Sequence, residues 1–129
     1  MTVLRKPATM GDILKYEVNP NYNRESVTLL EGTSYHAGAV LGRITASDKY
    51  RLSPAAEVVG NEGAETAVAV LLYAVDASAT DSIGVVVARG PAIVSKMALV
   101  FDATVDDAPK TATKHGQLAA LGIVPRDTA

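Results

Sequence analysis

The chain contains no cysteine and no tryptophan, and a single phenylalanine among its 129 residues. The missing cysteines exclude disulfides, thiolate metal sites and cysteine nucleophiles together, and they fit a reducing compartment. Aromatics make up 5% of the chain although 48% of it is hydrophobic, so a core has to be built from Val, Leu, Ile and Ala. Such side chains bury less area each than Phe or Trp, at roughly 25 cal/mol per Å², and a small domain buries a modest fraction of its surface. Both points predict a single domain that gains stability from association. Long hydrophobic runs are missing too. The longest, residues 67–75, is nine residues, about half of what a helix needs to span a bilayer. No apolar run follows Arg5-Lys6, so neither a signal peptide nor a membrane partner is expected. The formal net charge is −2, and nothing global points to nucleic acid.

The charge that is present is unevenly placed. Residues 1–24 hold Arg5, Lys6, Lys15 and Arg24 against Asp12 and Glu17, whereas residues 25–129 hold eight basic and twelve acidic side chains. A mildly basic end on an acidic body hints that the end has its own task. Pro7, Gly11, Pro20 and three asparagines interrupt every periodicity there, so 1–24 is expected as a flexible arm and 25–129 as the folded domain. The arm still carries Val3, Leu4, Ile13, Leu14, Tyr16, Val18 and Tyr22. Residues 13–18 can pair as a short strand, and 24 extended residues reach on the order of 80 Å.

From Ser26 the pattern turns to β. Residues 26–30 form a short strand, ended by a turn over 31–34. Residues 38–52 read as a hairpin, with Val40 and Leu41 between two glycines and Ser47-Asp48 supplying the turn. Residues 67–75 are apolar on both faces, which marks a strand buried on both sides. A polar turn over 76–82 leads to a strong strand at 83–88. Arg89-Gly90-Pro91 then makes a corner into further strand-like residues at 93–94 and 97–101. Asp106 and Asp107 with Pro109 predict a helix start. The helix covers 110–121, with Ala112, His115, Leu118, Ala119 and Leu121 on one face, and Gly122 and Pro125 end it. The expected fold is mainly β, a compact barrel- or sandwich-like body with one short C-terminal helix.

Catalytic chemistry finds no support. His36 and His115 have no second ligand at metal spacing, Asp102, Asp106 and Asp107 read as helix-capping residues, and no nucleophile elbow or phosphate loop is present. No cofactor and no metal are expected. One handle remains, Lys49 in the hairpin. Residues 38–44 with Ser47-Asp48-Lys49 resemble the attachment hairpin of lipoyl and biotinyl carrier domains, where a lysine at the tip is acylated. Tyr50 stands where those carriers have a small or sulfur-containing residue, and an ordinary solvated turn lysine is the competing reading.

A second resemblance covers nearly everything from Gly11 onward. Its segments are 14–17 and 22–25, Gly38-Ala39-Val40-Leu41-Gly42 with Lys49-Tyr50, then 69–72 with Asp76-Ala77, 86–91 and 118–123. Together they resemble the lambda-type head decoration proteins of tailed phages. The resemblance implies a non-enzymatic protein with a β-tulip-like body. It implies homotrimers on the outer surface of the virion capsid, at three-fold and quasi-three-fold sites, assembled in the host cytoplasm. The major capsid protein would be the partner, bound by an N-terminal arm that adds strands to it and stabilises the head against packaged DNA. In this sequence the arm residues implied are Leu4, Ile13, Leu14, Lys15, Tyr16, Glu17, Val18 and Tyr22.

Overall fold

The structure, a computed structural model, describes residues 9–127. Its centre is a wall of three apolar strands that is packed on both sides. The chain begins with α1 (Met10–Ile13), β1 (Leu14–Glu17), α2 (Pro20–Asn23), β2 (Arg24–Leu29) and β3 (Thr33–Tyr35). Strands β4 (Val40–Arg43), β5 (Tyr50–Leu52), β6 (Ala67–Leu71), β7 (Val75–Ala77), β8 (Ser82–Val87) and β9 (Ala92–Ser95) follow. A 3₁₀ turn at Lys96–Ala98 leads through a loop to α3 (Ala108–Ala119) and β10 (Ile123–Arg126).

Five strands close a barrel in the order β2-β5-β4-β6-β8. The hairpin expected around residues 38–52 is its β4–β5 pair, with Leu41 opposite Leu52. Along β4, Val40 and Leu41 point to opposite sides and so enter different cores. Leu41 joins Val27, Leu29, Ala69, Leu71 and Val86 inside the barrel. Val40 joins Val70 and Val87 on the outer wall, where Ile13, Leu14, Ala92, Val94, Leu118 and Ile123 cover them. The covering layer is the three-stranded sheet β1-β9-β10 together with α3. Strand β6 is therefore sandwiched, as its two-sided apolar pattern predicts. The mainly β body with its C-terminal helix agrees with the expectation from sequence, and no helix among the described residues is long and apolar enough to cross a membrane.

Several local expectations fail for identifiable reasons. The apolar run at 67–75 does not stay one strand. It breaks after Leu71, and Val75–Ala77 pairs antiparallel with Thr33–Tyr35, which turns two predicted turns into a small separate sheet. Residues 97–101 are not a strand. Val100 alone bridges to Ala39, because the 3₁₀ turn before it redirects the chain. The predicted helix face is right only at Leu118. Lys114 and Leu118 are buried, whereas Ala112, Ala119 and Leu121 are exposed. The helix start is as expected, with the Asp107 side chain accepting from the Lys110 N–H at 2.9 Å and proline in the first turn. The helix does not resume after Ala119, as Gly122 and Pro125 predict, but the residues that follow form a strand rather than loop. Pro125 lies inside β10, which pairs parallel with β9.

Candidate functional site

Residues 9–24, expected as irregular chain, carry two single-turn helices and a strand. Thr9 starts α1, and the Asp12 carboxylate accepts from its N–H at 2.9 Å. That turn delivers Ile13, fully buried, and Leu14 into the outer core. Strand β1 then runs antiparallel to β9, with Leu14 opposite Val94, Tyr16 opposite Ile93 and a bulge between. Asn19 caps α2 by accepting from the Asn21 N–H at 2.8 Å, and Pro20 occupies its first turn. Pro20 and Asn19, which read as breakers, thus start the helix.

The segment is fastened to the body at its far end. Asn23 is fully buried, and its amide donates to the Arg89 and Pro91 carbonyls at 2.9 and 3.2 Å. Its side-chain oxygen accepts from the Asn19 N–H at 2.9 Å. These bonds clamp the β8–β9 corner, where the chain also approaches itself closely. A Cβ on Gly90 would lie 2.0 Å from the Gly122 carbonyl, so only glycine lets the end of α3 reach that corner. Arg89 pairs with Glu25, donates to the Tyr22 carbonyl and sits 5.7 Å from the Tyr22 ring centre. Glu17 and Arg24 form a two-pronged ion pair at 2.6 and 3.1 Å, with both side chains mostly covered.

Of the arm residues singled out from sequence, Leu4 lies outside the described residues. Ile13 and Leu14 face the core, and Glu17 is held by Arg24. Lys15, Tyr16, Val18 and Tyr22 are on the surface, the last three each more than half exposed. Cross-strand register extends this surface. Tyr16 is opposite Ile93, and Ile93 is opposite Val124, so the three form one row across the outer face of the sheet. Sequence reasoning missed Ile93 and Val124 in this role, because the row exists only through pairing of strands from both ends of the chain. It also missed Asn23 and Arg89, which carry no local signal beyond a turn and a corner.

The two edges of this sheet differ. Among the described residues, strand β1 is terminal and has no strand paired on its outer side. Strand β10 is also terminal, but the Ala92 N–H donates to the Gly122 carbonyl, and main-chain groups alternate along a strand. Ile123 and Pro125 therefore turn their main chain outward, and proline offers no N–H there. One edge is blunted and the other is open.

Lys49 is not at the hairpin tip. The Ile44 N–H donates to its carbonyl at 2.8 Å, closing the turn and placing Lys49 at its base, while Asp48 takes the positive-φ position (φ 60°). Its ammonium pairs with Asp81 at 2.6 Å. The hydrogen bond and charge of Asp81 hold the amine above its usual pKa, the protonated state that does not attack an acyl donor. No cluster of potential metal ligands occurs among the described residues.

A closed barrel covered on its outer wall by a small sheet and one C-terminal helix defines a module of the mainly β class. Comparison with protein families sharpens this: the model of the bacteriophage lambda head decoration protein D family matches residues 3–123. The chain belongs to that family. The family is structural, its members bind the capsid, and its place is the phage head. A search of curated proteins found no match.

Proposed function

We propose that the protein cements the expanded head as a homotrimer, seated on the outer surface at three-fold and quasi-three-fold sites, with the N-terminal segment as its contact to the major capsid protein. The observation that carries the contact is the open outer edge of β1, flanked by exposed Lys15 and Tyr16. A capsid strand added there gains main-chain hydrogen bonds, and the Tyr16–Ile93–Val124 row offers it a continuous apolar face. Because β1 is already paired to β9 and its first residues lie in the core, load on such a strand passes into the folded body. Residues 1–8, with Leu4, extend the same contact. Three such edges on one trimer raise the effective concentration for the second and third contacts, so a weak single contact suffices to resist separation of capsomers under packaged DNA.

The test removes residues 2–8 and, separately, replaces Tyr16 with Ala. Both variants are expected to stay folded and to sediment as trimers while binding expanded capsids more weakly. Unchanged decoration by both would overturn the edge mechanism, and a monomer in every condition, including on capsids, would overturn the trimer.

A further inference from the structure

Lys114 is 1% exposed, and among the described residues no carboxylate lies in ion-pair contact with it. Its ammonium instead meets three oxygens: Ser53 Oγ at 2.9 Å, the Pro54 carbonyl at 2.6 Å and the Glu65 carbonyl at 2.5 Å. The Ser53 hydroxyl donates to the Ala64 carbonyl at 2.7 Å, so towards Lys114 it is an acceptor. All three neighbours therefore accept. A neutral amine has two N–H groups and an ammonium has three, so this cage is matched to the cation. Burial pushes the amine towards its neutral form, and the charges of Glu65 and Asp102 oppose that.

The cage is assembled from the two ends of one loop. Ser53 and Pro54 stand at one end of a long polar loop, and Ala64 and Glu65 at the other. The loop end is pressed against β4, where a Cβ on Gly42 would lie 1.9 Å from the Ala64 carbonyl. One helical turn beyond Lys114, the Gln117 side chain accepts from the Ala67 N–H at 2.8 Å, and Leu118 fills the outer core. One face of α3 thus closes both ends of the loop.

We propose that residues 53–65 form a binding site for a primary alkylammonium ion, which the chain fills with its own Lys114, and that this bound ion locks the 53–65 loop to α3. The inference is independent of how the protein meets the capsid. It has a direct chemical test. Lys114→Ala removes the equivalent of propylamine and leaves the cage open. The variant is expected to melt on the order of 10 °C below the parent and to regain part of that loss in n-propylammonium. Tetramethylammonium or sodium at equal ionic strength should not restore it, and the parent protein should show no such selectivity.

Equal responses to all three cations in a folded Lys114→Ala protein would overturn the proposal. Ser53→Ala supplies a milder variant that keeps the lysine and two carbonyls. There, amide exchange is expected to accelerate in the loop and in α3 together. Acceleration in only one of the two, or in neither, would show that no lock connects them.

Discussion

The inside of the barrel and the layer packed on its outer wall are held by different forces. The interior is filled by Val27, Leu29, Leu41, Ala69, Leu71 and Val86, and the Tyr35 hydroxyl beside them donates to the Leu30 carbonyl at 2.7 Å. The outer layer buries an equally aliphatic set but adds Asn23, Ser53, Ser95 and Lys114. Non-directional burial suffices where closure of the barrel already fixes register. The outer layer is made of short elements from both ends of the chain. A four-residue strand or a single helical turn has little stability of its own, and directional bonds from buried polar groups specify where each one docks.

The largest effect expected from that contrast is in the interior. Leu71→Ala leaves a cavity in the aliphatic barrel core and should cost about 2–5 kcal/mol, read as a lower urea midpoint with every probe shifting together. Asn23→Ala acts on the outer layer. It strands the Arg89 and Pro91 carbonyls and the Asn19 N–H, and should cost about 1–3 kcal/mol. Its signature is locality: amide exchange should rise first in β1, α2 and β9, while β4 and β6 keep their protection. A uniform rise across both regions would mean that the two layers unfold as one unit.

This contrast also explains what could be read in the sequence. The barrel strands were legible because each is a run of β-branched and aliphatic residues bounded by turn chemistry, as in the β4–β5 hairpin and β8. Ala67–Leu71 even announced its burial on both sides. The outer layer was not legible. Pro20 and Asn19 look like breakers until α2 is seen to use both as start residues, and Pro125, read only as keeping the helix from resuming, is seen as part of a strand once β9 stands beside it. Nothing in the helix pattern marks Lys114 as interior, since its partners lie some fifty to sixty residues away. The open edge of β1 was half legible: residues 13–18 read as a strand available for pairing, but not as one already paired on its inner side.

Tyr16→Ala tests the surface of the outer layer against its interior. An exposed side chain on an edge strand is expected to change stability by no more than about 0.5 kcal/mol, within error of the parent in a denaturant titration. Capsid binding should weaken all the same, and Val124→Ala, in the same row, should weaken it less. A stability loss comparable to that of Asn23→Ala would place Tyr16 among the docking contacts and leave the row without a separate role.

The smallest effect concerns His115, which faces Phe101 with ring centres 5.8 Å apart. Its Nε2 is buried without a hydrogen-bond partner, so a proton placed there finds no acceptor. Burial, with a further contribution from Lys96, holds the imidazole below the usual histidine pKa, and Asp127 opposes them. The folded state therefore resists protonation that the unfolded chain accepts. Stability from this source is complete above about pH 6.5, the pKa of an unperturbed histidine, and declines as pH falls from there to the depressed value. The aspartates Asp76, Asp81 and Asp106 are all held below their ordinary range and titrate outside that window. A modest fall in Tm from pH 6.5 to 5 is expected, and His115→Phe should flatten it while keeping the ring against Phe101. An unchanged slope in that variant would move the acid sensitivity of the outer layer to some other group.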